Sequence, residues 1–368
     1  MALMRSKYIA AALLVFSVLC ALVLLPFYKN RKFRITVLYA STLSYHNAVY
    51  LGFMKALKAN DESLFEVRSM STATVGDMLA VASMCESALE ESCDCIVTTG
   101  KAISQYLVLS AKKRGCRVPV VCIGANDPVE LGIVDSLECS GGNAAVVYAA
   151  PVQSALQGHI LYALCPTITS VMIPLLTSTD VTGEILRKAK GITDFLREQG
   201  WRADVIELDS LTDGLERIAG IIDRYDAIMT LENDTFSHEH ITGLGCLVKK
   251  TNKILFSGTD GGIAEGALLE LSTRPEYAGE AGFKLLKEIL CEGKSTTKMA
   301  VRTFEKGRCL SISRQIADEK GVFVDVDGFL KKVKFQPQFS SLRGCIKVLG
   351  AHANIQSFSA ISVMRKAA

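Results

Sequence analysis

Six loops in this sequence carry residue types able to hold a small polar solute. Ser41 and Thr42, with Tyr45 close behind, follow one apolar run; Thr99-Gly100 and Asn126-Asp127 follow two others. In the second half, Thr177-Ser178, Glu232 with Asp234, and Asp260 inside Gly-Thr-Asp-Gly-Gly recur in the same position relative to an apolar run. Hydroxyls and glycines beside helix starts suit a carboxylate, because the first backbone N–H groups of a helix point outward unpaired. The carboxylates of Asp127, Glu232, Asp234 and Asp260 suit an ammonium group. Tyr45 and Phe236 suit an apolar or aromatic side chain. Singly, each residue has a plainer role: Ser41, Thr42 and Ser178 are good helix caps, and Asp127-Pro128 is a common helix start. Taken together, the set suits a zwitterion such as an amino acid.

Chemistry beyond binding finds no support in the sequence. It contains no GxSxG elbow, no GxxxxGK[ST] phosphate loop and no HExxH metal pair. His238-Glu239-His240 has i,i+2 spacing, which splays the two rings on a helix. The Gly258–Gly262 stretch lacks the spacing of a dinucleotide loop. The expectation is a binding protein, not an enzyme, with no cofactor and no metal.

The elements that must position these loops alternate. Short β-branched runs at 33–39, 65–69, 96–99, 118–123 and 143–148 are interleaved with helical spacing at 45–59, 75–91 and 102–114. The pattern restarts with a helix at 154–164. Strands at 170–175, 204–207, 227–230 and 254–257 follow, separated by helices at 185–198, 211–222 and 238–250. Strand–helix alternation of these lengths predicts an α/β chain with parallel sheets under helices, and two consecutive sets predict two sheets. Ligands of such sheets lie at the carboxyl ends of the strands, where all six loops fall.

Charge and hydropathy divide the chain of 368 residues further. Residues 1–34 hold six Lys/Arg and no acid, residues 329–368 hold seven and no acid, and the body between carries a net −10. An acidic body excludes nucleic acid as the partner. No charge interrupts Lys7 to Lys29, so residues 1–34 read as a signal or membrane anchor. The basic residues at 29–34 oppose an outward body by the positive-inside rule. The basic end at 329–368 reads as a solvated extension. Twelve scattered cysteines include no CxxC pair, a usage that fits a reducing compartment.

One block is more specific. Val118-Pro119-Val120-Val121, Asp127-Pro128-Val129, Gly132-Ile133-Val134, Ser136-Leu137 and Gly141-Gly142-Asn143 resemble, in that order, the substrate-binding proteins of ABC transporters of the tryptophan/tyrosine type. The likeness extends to Asp94–Gly100, Gly52-Phe53, Gly266-Ala267-Leu268 and Gly279–Gly282, and covers roughly residues 33–322. It implies a type I periplasmic-binding fold, in which two Rossmann-like lobes with parallel sheets are joined by a three-strand hinge that closes on a solute. The implied lobes are 35–148 with 260–297, and 149–259 with 298–328. Gly141-Gly142-Asn143 would turn into the first crossover. The implied protein is an extracytoplasmic, membrane-anchored receptor that hands an amino acid to ABC permease subunits. A ligand-binding sensor of the same fold is the alternative.

Overall fold

The computed structural model describes residues 31–42, 44–73, 76–150, 155–176, 183–232, 235–304, 307–342, 345–349 and 356–358. The anchor reading for 1–34 falls almost wholly outside them. No described helix is long and apolar enough to cross a membrane.

The first half builds β1 (Phe33–Ala40), α1 (Ser44–Asp61), β2 (Phe65–Thr72), α2 (Met78–Glu90), β3 (Cys95–Thr99), α3 (Lys101–Arg114), β4 (Val120–Ile123) and β5 (Ala144–Ala149). The chain then forms α4 (Leu156–Leu164), β6 (Ser170–Leu176), α5 (Gly183–Glu198), β7 (Arg202–Leu208), α6 (Leu211–Ile221), β8 (Ala227–Met229), α7 (Thr235–Thr251) and β9 (Ile254–Ser257). Next come α8 (Gly262–Glu265), β10 (Leu269–Thr273), α9 (Pro275–Leu290), β11 (Arg302–Phe304) and β12 (Arg308–Ser313). The last elements are α10 (Arg314–Lys320), α11 (Val326–Phe335), β13 (Ile346–Leu349) and β14 (Gln356–Phe358).

Two sheets result. The first has the order β11-β5-β4-β3-β1-β2 and is parallel throughout. The second has the order β14-β13-β12-β10-β9-β8-β6-β7, parallel except where β10 meets β12 and β13 meets β14. Every residue of β3, β4 and β5 is buried, which is why these strands read as unbroken apolar runs instead of alternating ones. Each sheet is covered on both faces, so each lobe has two cores. The register Thr99↔Ile123↔Val147 levels the carboxyl ends of β3, β4 and β5, so the loops leaving them open on one rim.

Three sequence expectations are corrected. Of residues 260–297, expected in the first lobe, β10 pairs instead with β9 and puts Leu269 and Leu271 into the second core, whereas α9 packs in the first lobe. Of residues 298–328, expected in the second lobe, β11 pairs instead with β5 in the first sheet, whereas β12 joins the second. The chain therefore crosses near residues 150, 274 and 306. An apolar strand declares that it is buried, not which sheet buries it. Pro275, at the first turn of α9, marks the second crossing more closely than the earlier glycines do. The third correction concerns the turns. Gly141-Gly142-Asn143 enters β5 at its amino end, where Asn143 Nδ2 donates to Val118 O at 2.7 Å, far from the crossover that leaves Ala149. Asp127-Pro128 opens a run of turns, not a helix.

The basic extension is also more than a tail. Phe329, Val333, Phe339, Leu342, Ile346 and Val348 lie in the second core, and β13 pairs in parallel with β12. Ile346 and Val348 face inward while Lys347 lies between them, a period-2 alternation within a segment rich in basic residues. Phe339, fully buried against Phe329 with ring centroids 5.1 Å apart, is expected to cost about 3–5 kcal/mol when replaced by alanine. Urea unfolding reads this directly, and a loss below about 1 kcal/mol would show the extension to be detachable.

Candidate functional site

The rim of the first lobe is built from three strand ends. Ser41 and Thr42 leave β1, but both are tied to the end of β2. Ser41 N and Oγ donate to Thr72 O, and Thr42 N and Oγ1 donate to Ala73 O. Their hydroxyls fix the loop and stand exposed at its edge. Tyr45 sits in the first turn of α1, partly buried. Burial raises its phenol to about 12, with the charge of Glu232 as a second cause. That influence matters structurally, because Tyr45 belongs to the first lobe and Glu232 to the second.

His46 follows at once, its ring edge-on to Tyr45 at 6.0 Å and its Nδ1 3.1 Å from Thr99 Oγ1. Gly100 has φ +79° and lies against that ring; a Cβ there would overlap the imidazole. Its N–H donates to Ile123 O at 2.7 Å, and α3 starts beyond it without a side-chain cap. The first turn of α3 thus begins beside Thr99 and His46. Burial lowers the His46 imidazole to about 4, opposed by the Thr99 contact.

This imidazole gives a signed pH dependence. Its folded value lies below the unfolded value of 6.5, so between pH 6.5 and 4 the unfolded chain binds a proton that the folded chain refuses. Stability is therefore lost as pH falls through that window, by about 2 kcal/mol after allowing for the ring's partial exposure. His46→Gln is expected to flatten the loss. Urea unfolding of both proteins at pH 7 and pH 4 makes the comparison, and equal losses would remove His46 as the cause.

Asn126, half-buried, and Asp127 follow β4. Asp127 holds φ +51° directly before Pro128, a left-handed conformation that non-glycine residues rarely adopt and that the residue before proline disfavours. Its Oδ2 is buried and has no hydrogen-bond partner among the described residues. A strained backbone and an unsatisfied buried carboxylate oxygen each carry a free-energy cost, and here they coincide in one residue.

The second lobe faces this rim with Glu232, after β8, and with Thr259 and Asp260, after β9. Glu232 is 3% exposed and its Oε1 accepts from Thr273 Oγ1 at 2.8 Å. Thr259 Oγ1 is buried without a partner among the described residues. Asp260 is exposed, and its carboxyl is raised by partial burial and by Glu276. Its electrostatic neighbours are Glu276, Arg274 and Lys347, so it stands near the start of α9 and the edge of β13. Thr177, Ser178 and Asp234 lie outside the described residues. Phe236, expected beside the ligand, is instead fully buried in a core of the second lobe. A second contact bridges the lobes where Gly183 N, opening α5, donates to both Glu130 carboxylate oxygens at 3.3 Å.

The structure thus brings Tyr45, Thr99 and Gly100 together around His46 and places Asp127 in the loop after β4; His46, and Arg308 beside Glu232, are residues that the sequence reading did not single out. His46 had a signal in its place, one residue after Tyr45 at the start of a helix. Arg308 had another, as the charged first residue of an otherwise uncharged strand. Among the described residues no group of three or more His, Cys, Asp or Glu could hold a metal ion.

Comparison with known proteins bears on this arrangement. A family described as ABC transporter substrate binding protein matches residues 43–331. An ABC domain in complex with L-Trp from Streptococcus pneumonia has a similar structure: TM-score 0.70 and 18% identity, over 81% of this chain and 98% of that one. A conserved domain protein from Vibrio cholerae aligns with TM-score 0.68 and 17% identity, over 81% and 98%. The ligand-free, open form of a substrate binding protein with adhesive properties from Clostridium difficile aligns with TM-score 0.58 and 17% identity, over 78% and 95%. No curated protein matches the sequence.

Proposed function

Because the chain belongs to the ABC transporter substrate binding protein family, whose members bind solutes without transforming them, we propose that it captures an amino acid between its lobes for an importer. The observation that carries the ligand class is Asp127. Its buried, unpartnered Oδ2 on a strained loop would accept a charge-assisted hydrogen bond from an ammonium group. The uncapped first turn of α3, beside Thr99 and Gly100, would take the carboxylate. Tyr45 and His46 offer ring surfaces to the side chain, and the neighbour that holds L-Trp favours an aromatic one. Asn126, Thr177, Ser178, Asp234 and Asp260 complete the proposed contacts, whereas Ser41 and Thr42 shape the rim. The folded body would work outside the cytoplasm, held at the membrane through residues 1–34, and would deliver its solute to ABC permease subunits.

The test is thermal unfolding of the purified full chain against the twenty amino acids, with nucleosides and sugars as controls. A ligand at a hundredfold excess over its dissociation constant stabilises the folded state by about 2.7 kcal/mol. A shift with one amino acid names the cargo. A shift confined to sugars or nucleosides would overturn the assignment of Asp127.

A further inference from the structure

The eleven described cysteines are all free thiols, and two of them come opposite each other across a strand pair. In β12 and β13, Leu310 is the partner of Ile346, and Leu310 N donates to Cys345 O at 2.8 Å. Continued one residue back, this register sets Cys309 opposite Cys345. Leu310, Ile312, Ile346 and Val348 all enter the second-lobe core. Side chains alternate along a strand, so Cys309, Cys345 and Lys347 share the other face. Neighbouring strands lie about 4.8 Å apart. A disulfide spans roughly 4.4–6.8 Å between α-carbons, so the spacing of the strands suits one. No other two described cysteines come opposite each other across paired strands.

The surroundings of the pair suit thiol exchange. Cys309 is 8% exposed, whereas Cys345 is half-buried and open to a reagent. Burial pushes the Cys309 thiol up; Lys347 opposes that shift, and Cys345 is close enough for its charge to add to it. A cation beside a thiol favours the thiolate, the form that attacks a disulfide. The strand that carries Cys345 is only four residues long and holds the core through Ile346 and Val348. A bond between Cys309 and Cys345 closes a loop that contains α10 and α11. Such a link restricts the unfolded chain, and a long loop gains more from it than a short one.

We propose that Cys309 and Cys345 are a redox-active pair that a disulfide-bearing oxidant joins, fastening β13 and the segment before it to the second sheet. The Cys345 thiolate attacks one sulfur of the oxidant, a mixed disulfide forms, and one thiolate leaves. The Cys309 thiolate then attacks the Cys345 sulfur and expels the second thiolate. Two electrons pass to the oxidant, and the two protein thiol protons pass to the departing thiolates. The full chain is incubated with glutathione disulfide, alkylated in denaturant and mapped by peptide mass, beside a reduced control. The expected product is a peptide pair joined through Cys309 and Cys345, with the thermal midpoint raised by about 5 °C. Cys345→Ser, which cannot form the bond, should gain nothing from the oxidant. Alkyl label on both residues after oxidation, glutathione left on Cys345 alone, or a bond to a different cysteine overturns the pair. An unchanged midpoint in the bonded protein, or an equal rise in oxidised Cys345→Ser, overturns the fastening. None of these readouts needs a solute, so the outcome stands apart from the ligand reading.

Discussion

Asp127→Ala is expected to weaken amino-acid binding by about 30- to 5,000-fold, the effect of removing one partner of a desolvated charge pair, about 2–5 kcal/mol. The same substitution should leave the fold intact, and Asp127→Gly should stabilise it slightly. Glycine adopts φ +51° without the clash that a Cβ causes there, so the strain is relieved. Removing the buried, unpartnered Oδ2 relieves a second cost. A residue that destabilises the free protein while binding depends on it is one whose interactions are completed by the ligand. Calorimetric titration with the amino acid found by the unfolding screen, paired with urea unfolding, reads both sides. Wild-type affinity in Asp127→Ala, or a loss of stability in Asp127→Gly, would assign the carboxylate to the loop instead of the ligand.

A large expected effect on stability also lies at Gly279. Here α9, returning from the second lobe, crosses α1 so closely that a Cβ on Gly279 would overlap Val49 O and Phe53 N. Gly52 meets Glu276 from the other side in the same way, again backbone against backbone. Neither helix can yield without moving off the sheet. Gly279→Ala is therefore expected to cost about 3 kcal/mol or more, at or above the usual range for overpacking. Gly282 supplies the contrast. The atoms nearest a Cβ there all belong to the Ile123 side chain, whose end can turn aside, so Gly282→Ala should cost about 1 kcal/mol. Equal losses in the two variants would mean that the helices slide apart freely. Urea midpoints of both proteins decide it.

How much of this was legible beforehand differs by level. The strands β3, β4 and β6 and the helices between them were readable because burial on both faces leaves long apolar runs. The position of the rim loops followed from topology alone, and Tyr45, Thr99, Gly100 and Asp127 are candidates on that ground. The destination of β10 and β11 was not readable, since a strand's partner is set by residues far along the chain. The alternation of Ile346, Lys347 and Val348 was masked by the basic composition around it. The strain at Asp127 could not be foreseen either, because Asp-Pro reads locally as a helix start and only tertiary packing holds it in the left-handed region. Arg308 gave a faint sign, but its partners, Ala150 and Glu232, are both distant in sequence.

The interleaving of the two sheets carries a consequence for how the protein is made. While the chain is synthesised from its amino terminus, β1 to β5 emerge long before α9 and β11. Until those arrive, α1 presents the bare Gly52 groove and β5 an unpaired strand edge. The second lobe waits longer still, for β12 and β13. Each lobe takes elements from separated stretches of the chain, so neither sheet is complete until its late strands are made. Completing both cores therefore requires non-local contacts with segments made late, a topology that favours slow folding.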